Sequence, residues 1–492
     1  IRRILRRAVL WAERIGLPQG SLESLVPPTV EKLGDTFPEL KAQETVIRKI
    51  VAAEEQAFHK TLDRGIQLLD EVFEKHPDTV PGETAFELYD TYGFPIDLTE
   101  LVAREKGRTV DVSGFQSEMK KQRERARAAQ KKETIEVQEA SVAAEATTFV
   151  GFNLQNLEHF GATYLGSEAV GEGNKARNYL IFDQTPFYAE MGGQVGDCGT
   201  VEIDGMSIDI INTTKASNGL ILHQVKGDLP SGLVPDSPAI LSVDRSRRLA
   251  IQRNHTATHL LNWALRENLG THIRQAGSLV APDHLRFDFT HFESVTPEVL
   301  QKIEDQVNDA ILHNDTVHWY EIDQADKPED VVAVFGEKYG QQVRVVDIGA
   351  EISTDDQGGL QERAQPGYSA ELCGGTHVEA TGEIGTFKIL SESSISAGTR
   401  RIEAITGRRA LDYFRREHQE LQNLAHLLSC SPQEVESRLK NLIETRKNLE
   451  QELKSAAQKG RAEQSKDLAN RAVEKAGIQF LAAPVEVESP ND

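Results

Sequence analysis

A chain of 492 residues, 39% hydrophobic and 27% charged, is globular in composition and too long for a single core, so three or more domains are expected. No stretch approaches the ~20 consecutive apolar residues of a membrane span, which excludes a membrane-spanning helix. Only three cysteines, Cys198, Cys373 and Cys430, stand far apart, which excludes a disulfide framework and fits a reducing, cytoplasmic compartment.

The net charge of −22 argues against a nucleic-acid partner only if charge is evenly spread. It is not. Residues 1–16 carry five arginines against one glutamate, and residues 120–132 carry seven basic side chains against Glu124 alone. Such segments can hold a phosphate backbone locally, although solvated helix faces explain them equally well.

Ile1, Ile4, Leu5, Ala8, Trp11, Ala12 and Ile15 recur at helical spacing, and Gly16 and Pro18 end the run. The first residue, Ile1, is read as a cut end. A longer helical pattern runs from Leu40 through Ile47, Phe58, Leu62 and Leu69 to Phe73, and a charged helical stretch covers about 112–132. From Thr147 the text becomes short β-rich runs (179–182, 201–203, 208–211, 220–225, 239–243) broken by turn residues, which predicts a small antiparallel barrel.

Asp244 is a good N-cap for a helix over about 245–269. Beyond it, strands at 286–289, 317–322, 343–348 and 387–390 alternate with helical stretches at 297–313 and 331–339. After Arg408 the chain is helical again, with Val435, Leu439, Leu442, Leu449 and Leu453 in alternating steps of four and three and Arg446 in the seam, a coiled-coil or helical-hairpin pattern. The last apolar run, 477–487, reads as the first strand of a further domain.

The expected fold is therefore multidomain, α and α+β. A helical domain covers 1–135, a small antiparallel β-barrel 140–244 and an α+β core 245–408. A coiled-coil or helical segment follows over 411–470, and 471–492 begins another domain.

His255 and His259 sit four residues apart on the helix after Asp244, so both imidazoles lie on one face, a common two-ligand metal presentation. Among 14 histidines chance supplies roughly 0.4 such pairs, so the pair alone says little. Thr256 stands where a zinc peptidase carries its glutamate, which argues against peptidase chemistry. Cys373-Gly-Gly-Thr-His377 offers a second pair across a glycine turn that can aim both side chains at one point. Together the four make a sulfur and nitrogen set suited to Zn²⁺, provided pairs more than 110 residues apart in sequence meet. A third element, residues 185–197, contains a Gly192-Gly193 turn that could present Gln194 or Glu190 to a substrate, or be no more than a β-turn of the barrel.

HTATH at 255–259, RQAGSLV at 274–280, ELCGGTHV at 371–378, RRIEAITG at 400–407 and TPFYAEMGGQVGD at 185–197 together resemble the editing domain of the alanyl-tRNA synthetase family and its free-standing editing relatives. IRRILRRAV at 1–9 and ELYDTYGFPIDLTELVARE at 87–105 resemble the family's tRNA-recognition domain, so the resemblance covers nearly the whole chain. One position departs: the family usually has Ser where Met191 stands. The resemblance implies that an activation domain, with its ATP and Mg²⁺, precedes Ile1, and that this chain does not itself activate alanine.

The resemblance further implies hydrolysis of tRNA(Ala) mischarged with serine or glycine at a Zn²⁺ held by His255, His259, Cys373 and His377. Gln194 and Thr256 are then the expected catalytic-site residues that position the substrate. Arg2, Arg3, Arg6, Lys120, Lys121 and Arg123 are expected to grip the tRNA acceptor arm, and the coiled-coil segment to support self-association or docking of a further domain. Four protein ligands make a closed, structural-type zinc site, so whether the metal is catalytic stays open at this stage. A free-standing editing protein and a non-catalytic tRNA-binding module are the other readings.

Overall fold

The helical pattern of the first 130 residues becomes seven α-helices, and the spacing of their apolar residues shows why. They are α1 (Arg2–Arg14), α2 (Val26–Leu33), α3 (Pro38–Ala42), α4 (Glu44–Lys75), α5 (Gly82–Asp90), α6 (Ile96–Glu105) and α7 (Val112–Gln130). This computed structural model describes residues 2–130, 146–170, 177–333, 340–354, 360–396, 398–475 and 478–482. Along α4, Phe58, Leu62, Leu69 and Phe73 fall on one buried stripe. That stripe packs against Val9 and Leu10 of α1, Leu88 of α5, Leu98 and Val102 of α6, and Phe115 of α7.

Six strands then close a barrel: β1 (Phe160–Val170), β2 (Arg177–Phe182), β3 (Gly199–Ile203), β4 (Met206–Lys215), β5 (Ile221–Val225) and β6 (Pro238–Val243). Their spatial order is β6-β1-β2-β5-β4-β3, and β3 pairs back to β6. Every neighbouring pair is antiparallel. Closure removes the free edges that a six-stranded sheet would otherwise expose. Alternate residues such as Val201 and Ile203 of β3, Ile208 and Ile210 of β4, and Leu241 and Val243 of β6 fill the interior.

From Asp244, whose side chain accepts a 3.0 Å hydrogen bond from Arg247 N, the chain enters α8 (Arg245–Leu269). Next come β7 (Gln275–Val280), β8 (Leu285–Thr290), α9 (Pro297–His313), β9 (Val317–Asp323), β10 (Gln342–Ile348), β11 (Ser369–Leu372), β12 (Phe387–Ser396) and β13 (Thr399–Thr406). One antiparallel sheet has the order β7-β8-β13-β12 and a second the order β9-β10-β11. Ala257, Leu260, Leu261 and Leu265 of α8 bury against Ile303 and Val307 of α9 and against Phe287, Phe289, Ile402 and Ala404 of the larger sheet. Helix α9 carries its own punctuation. Thr296 caps its start, Pro297 occupies the first turn, and Asn314 ends it in the left-handed region at φ 59°.

Several expectations shift. The expected helix at 331–339 falls mostly on residues outside the described set, and Val331 and Val332 lie in a turn and a bridge, not a helix. Strand β12 extends to Ser396, well past the expected 390, and β1 did not register in the sequence at all. Compact grouping divides the chain into Ile1–Ala410 and Leu411–Asp492. The second unit opens within α10 (Gly407–Leu427), which is followed by a capping box at Ser431 and Glu434 and then α11 (Val435–Asn470). Leu439, Leu442, Leu449 and Leu453 of α11 stay exposed. Val473–Lys475 and Ile478–Phe480 pair as a short hairpin, and 483–492 lie outside the described residues. Among the described residues, no helix is long and apolar enough to cross a membrane.

Candidate metal centre and adjoining cleft

Helix α8 buries eight polar side chains: Arg248, Gln252, Asn254, His255, Thr256, Thr258, His259 and Asn262. Polar groups taken from water into a core destabilise it unless they find partners, and the partners found here define a site. One ligand atom from each of His255, His259, Cys373 and His377 lies within 4.8 Å of every other. Cys373 Sγ stands 3.4 Å from His255 Nε2 and 3.3 Å from His377 Nε2. Tetrahedral zinc with ordinary bond lengths would set sulfur and nitrogen about 3.6 Å apart, so the donor set is close to the size a zinc ion needs.

The outward faces of the three imidazoles are all engaged. His255 Nδ1 donates to Gln194 Oε1 (2.7 Å), His259 Nδ1 is 2.8 Å from Glu371 Oε2, and His377 Nδ1 is 3.2 Å from Thr256 Oγ1. Gln194 Oε1 also accepts from Thr376 N, and Gln194 Nε2 donates to Thr376 Oγ1, which fixes the orientation of its amide. An oxygen that can only accept puts the proton on Nδ1 and leaves the Nε2 lone pair facing inward, as metal-ligating histidines require. His259 Nε2 is buried and has no hydrogen-bond partner among the described residues, an orphan that a metal would satisfy. Burial opposes ionisation of the Cys373 thiol, yet His255, His377 and His259 outweigh it and hold the group well below its ordinary range. Burial pushes His377 down to about 3, whereas at His259 burial is outweighed by Glu371 and Cys373, which raise it to about 10.

One glycine in each loop, Gly193 and Gly375, is required for space. A side-chain carbon at Gly375 would lie 2.0 Å from His255 Cε1, so only glycine lets this loop close on the helix. Met191-Gly192-Gly193-Gln194 is a tight turn, with φ 60° and 86° at the glycines and reciprocal hydrogen bonds between Met191 and Gln194. The chain leaving the turn runs along the edge of β7, with Val280 N donating to Gly193 O and Val195 N to Val280 O. This docks the barrel loop beside the cluster. Three residues on, Asp197 pairs with Arg248 of α8, both fully buried, and Arg248 also donates to Gly151 O and Pro186 O. Arg248 and His255 are two helical turns apart on one face, so Asp197 and Gln194 pin the loop to α8 at two points.

Above the cluster lies a cleft of about 420 Å³, bordered by His255, His259, Cys373, Tyr188, Ser278 and Arg344. Neither Gln194 nor Thr256 lines it, and both are fully buried. Gln194 stands behind His255 and Thr256 behind His377, on the side of each ring away from the cluster. Glu371 escaped the sequence reading. It holds His259 with one oxygen and accepts from Asn262 Nδ2 with the other. The available signal was its place on β11 two residues before Cys373, the spacing that sends side chains of an extended chain to one side.

The expected tRNA-binding residues divide. Arg6 of α1 and Lys120 and Arg123 of α7 come together along one groove of about 740 Å³ that also contains Tyr89 and Phe115. Arg6 is anchored there to Glu54 and to Gly93 O. Lys121 pairs with Glu118 and does not line the groove. The side chains of Arg2 and Arg3 lie outside the described set.

Residues 1–244 match the family of class II (A) tRNA synthetases, and residues 343–403 match the second additional domain of threonyl and alanyl tRNA synthetases. The alanine–tRNA ligase of Opitutus terrae is 42% identical over 520 residues, covering 99% of this chain and 53% of that protein. Those of Chelativorans sp. and Geobacillus kaustophilus are each 42% identical, covering 100% of this chain and 56% and 54% of theirs. The chain spans about half the length of the curated relatives it matches. Taken with the matched synthetase and editing-domain segments, these likenesses place the chain in the alanyl-tRNA synthetase family.

Proposed function

We propose that this chain is the tRNA-recognising and editing portion of a cytoplasmic enzyme that, whole, joins alanine to tRNA(Ala) with ATP and Mg²⁺. Its own reaction is the hydrolysis of tRNA(Ala) carrying serine or glycine. The division into 1–135, 140–244, 245–408, 411–470 and 471–492 assigns tRNA recognition to the first segment and editing to the next two. The observation that carries the reading is the inward convergence of His255, His259, Cys373 and His377, with every imidazole held from behind, at the wall of a cleft. Those four residues would hold Zn²⁺.

An alanine-sized activation pocket excludes the smaller glycine weakly, so accurate charging needs a second, hydrolytic sieve. Hydrolysis adds a water oxygen to the ester carbonyl carbon, breaks the bond to the ribose oxygen and returns the proton to that oxygen. When bound, zinc supplies either Lewis-acid polarisation or a fixed anchor at the cleft wall. Gln194, Thr256 and Glu371 keep the ligand rings aimed, and the Met191–Gln194 turn shapes one side of the cleft. The groove of Arg6, Lys120 and Arg123 offers cations and the exposed ring of Tyr89 to the acceptor arm.

The closed four-ligand set favours one other reading, a tRNA-binding module whose zinc is structural. Incubation with Ser-tRNA(Ala) separates the two. The editing reading expects release of serine that is lost in Cys373→Ala while tRNA binding persists. Binding without any release would establish the structural reading.

A further inference from the structure

A second, smaller chamber of about 90 Å³ lies behind the ligand loop, lined by Gln252, Phe152, Trp319, Arg344, Thr376 and His377, among others. Two polar atoms on these lining residues lack a hydrogen-bond partner among the described residues, Gln252 Oε1 and Arg344 Nε. Gln252 is only 2% exposed and lies on α8 one turn before His255. A buried amide oxygen left without a partner destabilises the fold, so the chamber calls for something that donates to it.

The rest of the wall is firm. The Arg344 guanidinium carbon lies 4.0 Å from the centroid of the Phe152 ring and 4.7 Å from that of Trp319. Its Nη1 donates to Gly375 O at 2.5 Å, and its backbone oxygen accepts from Cys373 N. Arg344 therefore joins the segment ahead of β1, through Phe152, to β9 and the Cys373–His377 loop, and it borders both the chamber and the cleft. Burial pushes its guanidinium down to about 10, still a cation at neutral pH. Water is the ligand that fits. It can donate to Gln252 Oε1 and accept from Arg344 Nε, and the chamber exceeds the ~10–15 Å³ of such space that one water needs.

We propose that this chamber is an ordered-water site, and that Gln252 and Arg344 are positioning residues which, through that water, support the Thr376–His377 segment from behind and so hold the metal-binding geometry. The inference rests on the zinc reading given above. Outer partners of metal ligands commonly change affinity by about 10–100-fold, and water bridged to Gln252 would act as one such partner.

The test pairs a crystal structure of the zinc-loaded chain with a zinc affinity measured by chelator competition. The structure is expected to show water bonded to both Gln252 Oε1 and Arg344 Nε. Gln252→Met, similar in volume but without the acceptor, is expected to lose that water and to release zinc about tenfold more readily. Gln252→Glu, which keeps an oxygen there, is expected to stay near the parent. A dry chamber, or unchanged affinity in Gln252→Met, overturns the proposal. If the parent chain binds no zinc, the metal reading itself fails, and the crystal water alone then decides whether the chamber is hydrated.

Discussion

At the scale of single residues, the site is specified by what stands behind its ligands. Gln194 illustrates this. Its position beside a glycine turn invites a role in gripping substrate, but it is fully buried and spends both ends of its amide on His255 and Thr376. Gln194→Ala is accordingly expected to weaken zinc binding by about 10–100-fold in a chelator competition. A raised KM for Ser-tRNA(Ala) with zinc affinity unchanged would instead return Gln194 to the substrate side. The four candidate ligand positions were legible through the company they keep: the His255–His259 spacing alone says little, and it is the Cys373–His377 pair with the 185–197 segment and its neighbouring motifs that singles them out. Glu371 was not, since an acidic residue in a strand reads as a solvated one until the histidine facing it is known.

At the scale of elements, boundaries set by local chemistry were readable and those set by distant partners were not. Asp244 marks the start of α8, and the helical stretch expected from 297 begins there as α9. Strand β1, FGATYLGSEAV, is diluted by Gly161, Gly166 and Ser167, and it takes its extended form from pairing with β2 and β6. The Asp197–Arg248 pair that ties the barrel loop to α8 links residues 51 apart, with no local pattern to announce it.

The barrel interior also makes a pH prediction. His223 on β5 is fully buried, with Nδ1 bonded to Leu180 O and Nε2 to Thr185 Oγ1. Burial pushes it down to about 4, against ~6.5 for an unfolded histidine. The fold thus prefers the neutral ring. This contribution is complete above about pH 6.5 and is lost as pH falls toward 4, where it amounts to about 3 kcal/mol. Thermal melts from about pH 7 down to about pH 4 should show the barrel losing stability, with a shallower loss in His223→Gln. Equal slopes in the two proteins would show that His223 is not the responsible group.

At the scale of the whole molecule, net charge hides where the charge is placed. The chain is strongly acidic, yet Arg6, Lys120 and Arg123, from segments more than a hundred residues apart, border a single groove. The two basic segments were legible in the sequence. Their meeting was not, because it depends on how α1 and α7 pack around α4 to α6. Replacing Lys120 and Arg123 together with alanine is expected to weaken tRNA(Ala) binding and to reduce the slope of log affinity against log salt by about 1–2. An unchanged slope would move the tRNA contact elsewhere.

The central claim is that hydrolysis depends on a metal held by His255, His259, Cys373 and His377. It is tested most directly by stripping the chain with a chelator, returning zinc in steps and following serine release from Ser-tRNA(Ala). The account predicts that activity vanishes on stripping and returns in proportion to zinc bound, reaching its plateau at a single zinc per chain. Full activity in the stripped, metal-free chain would contradict it.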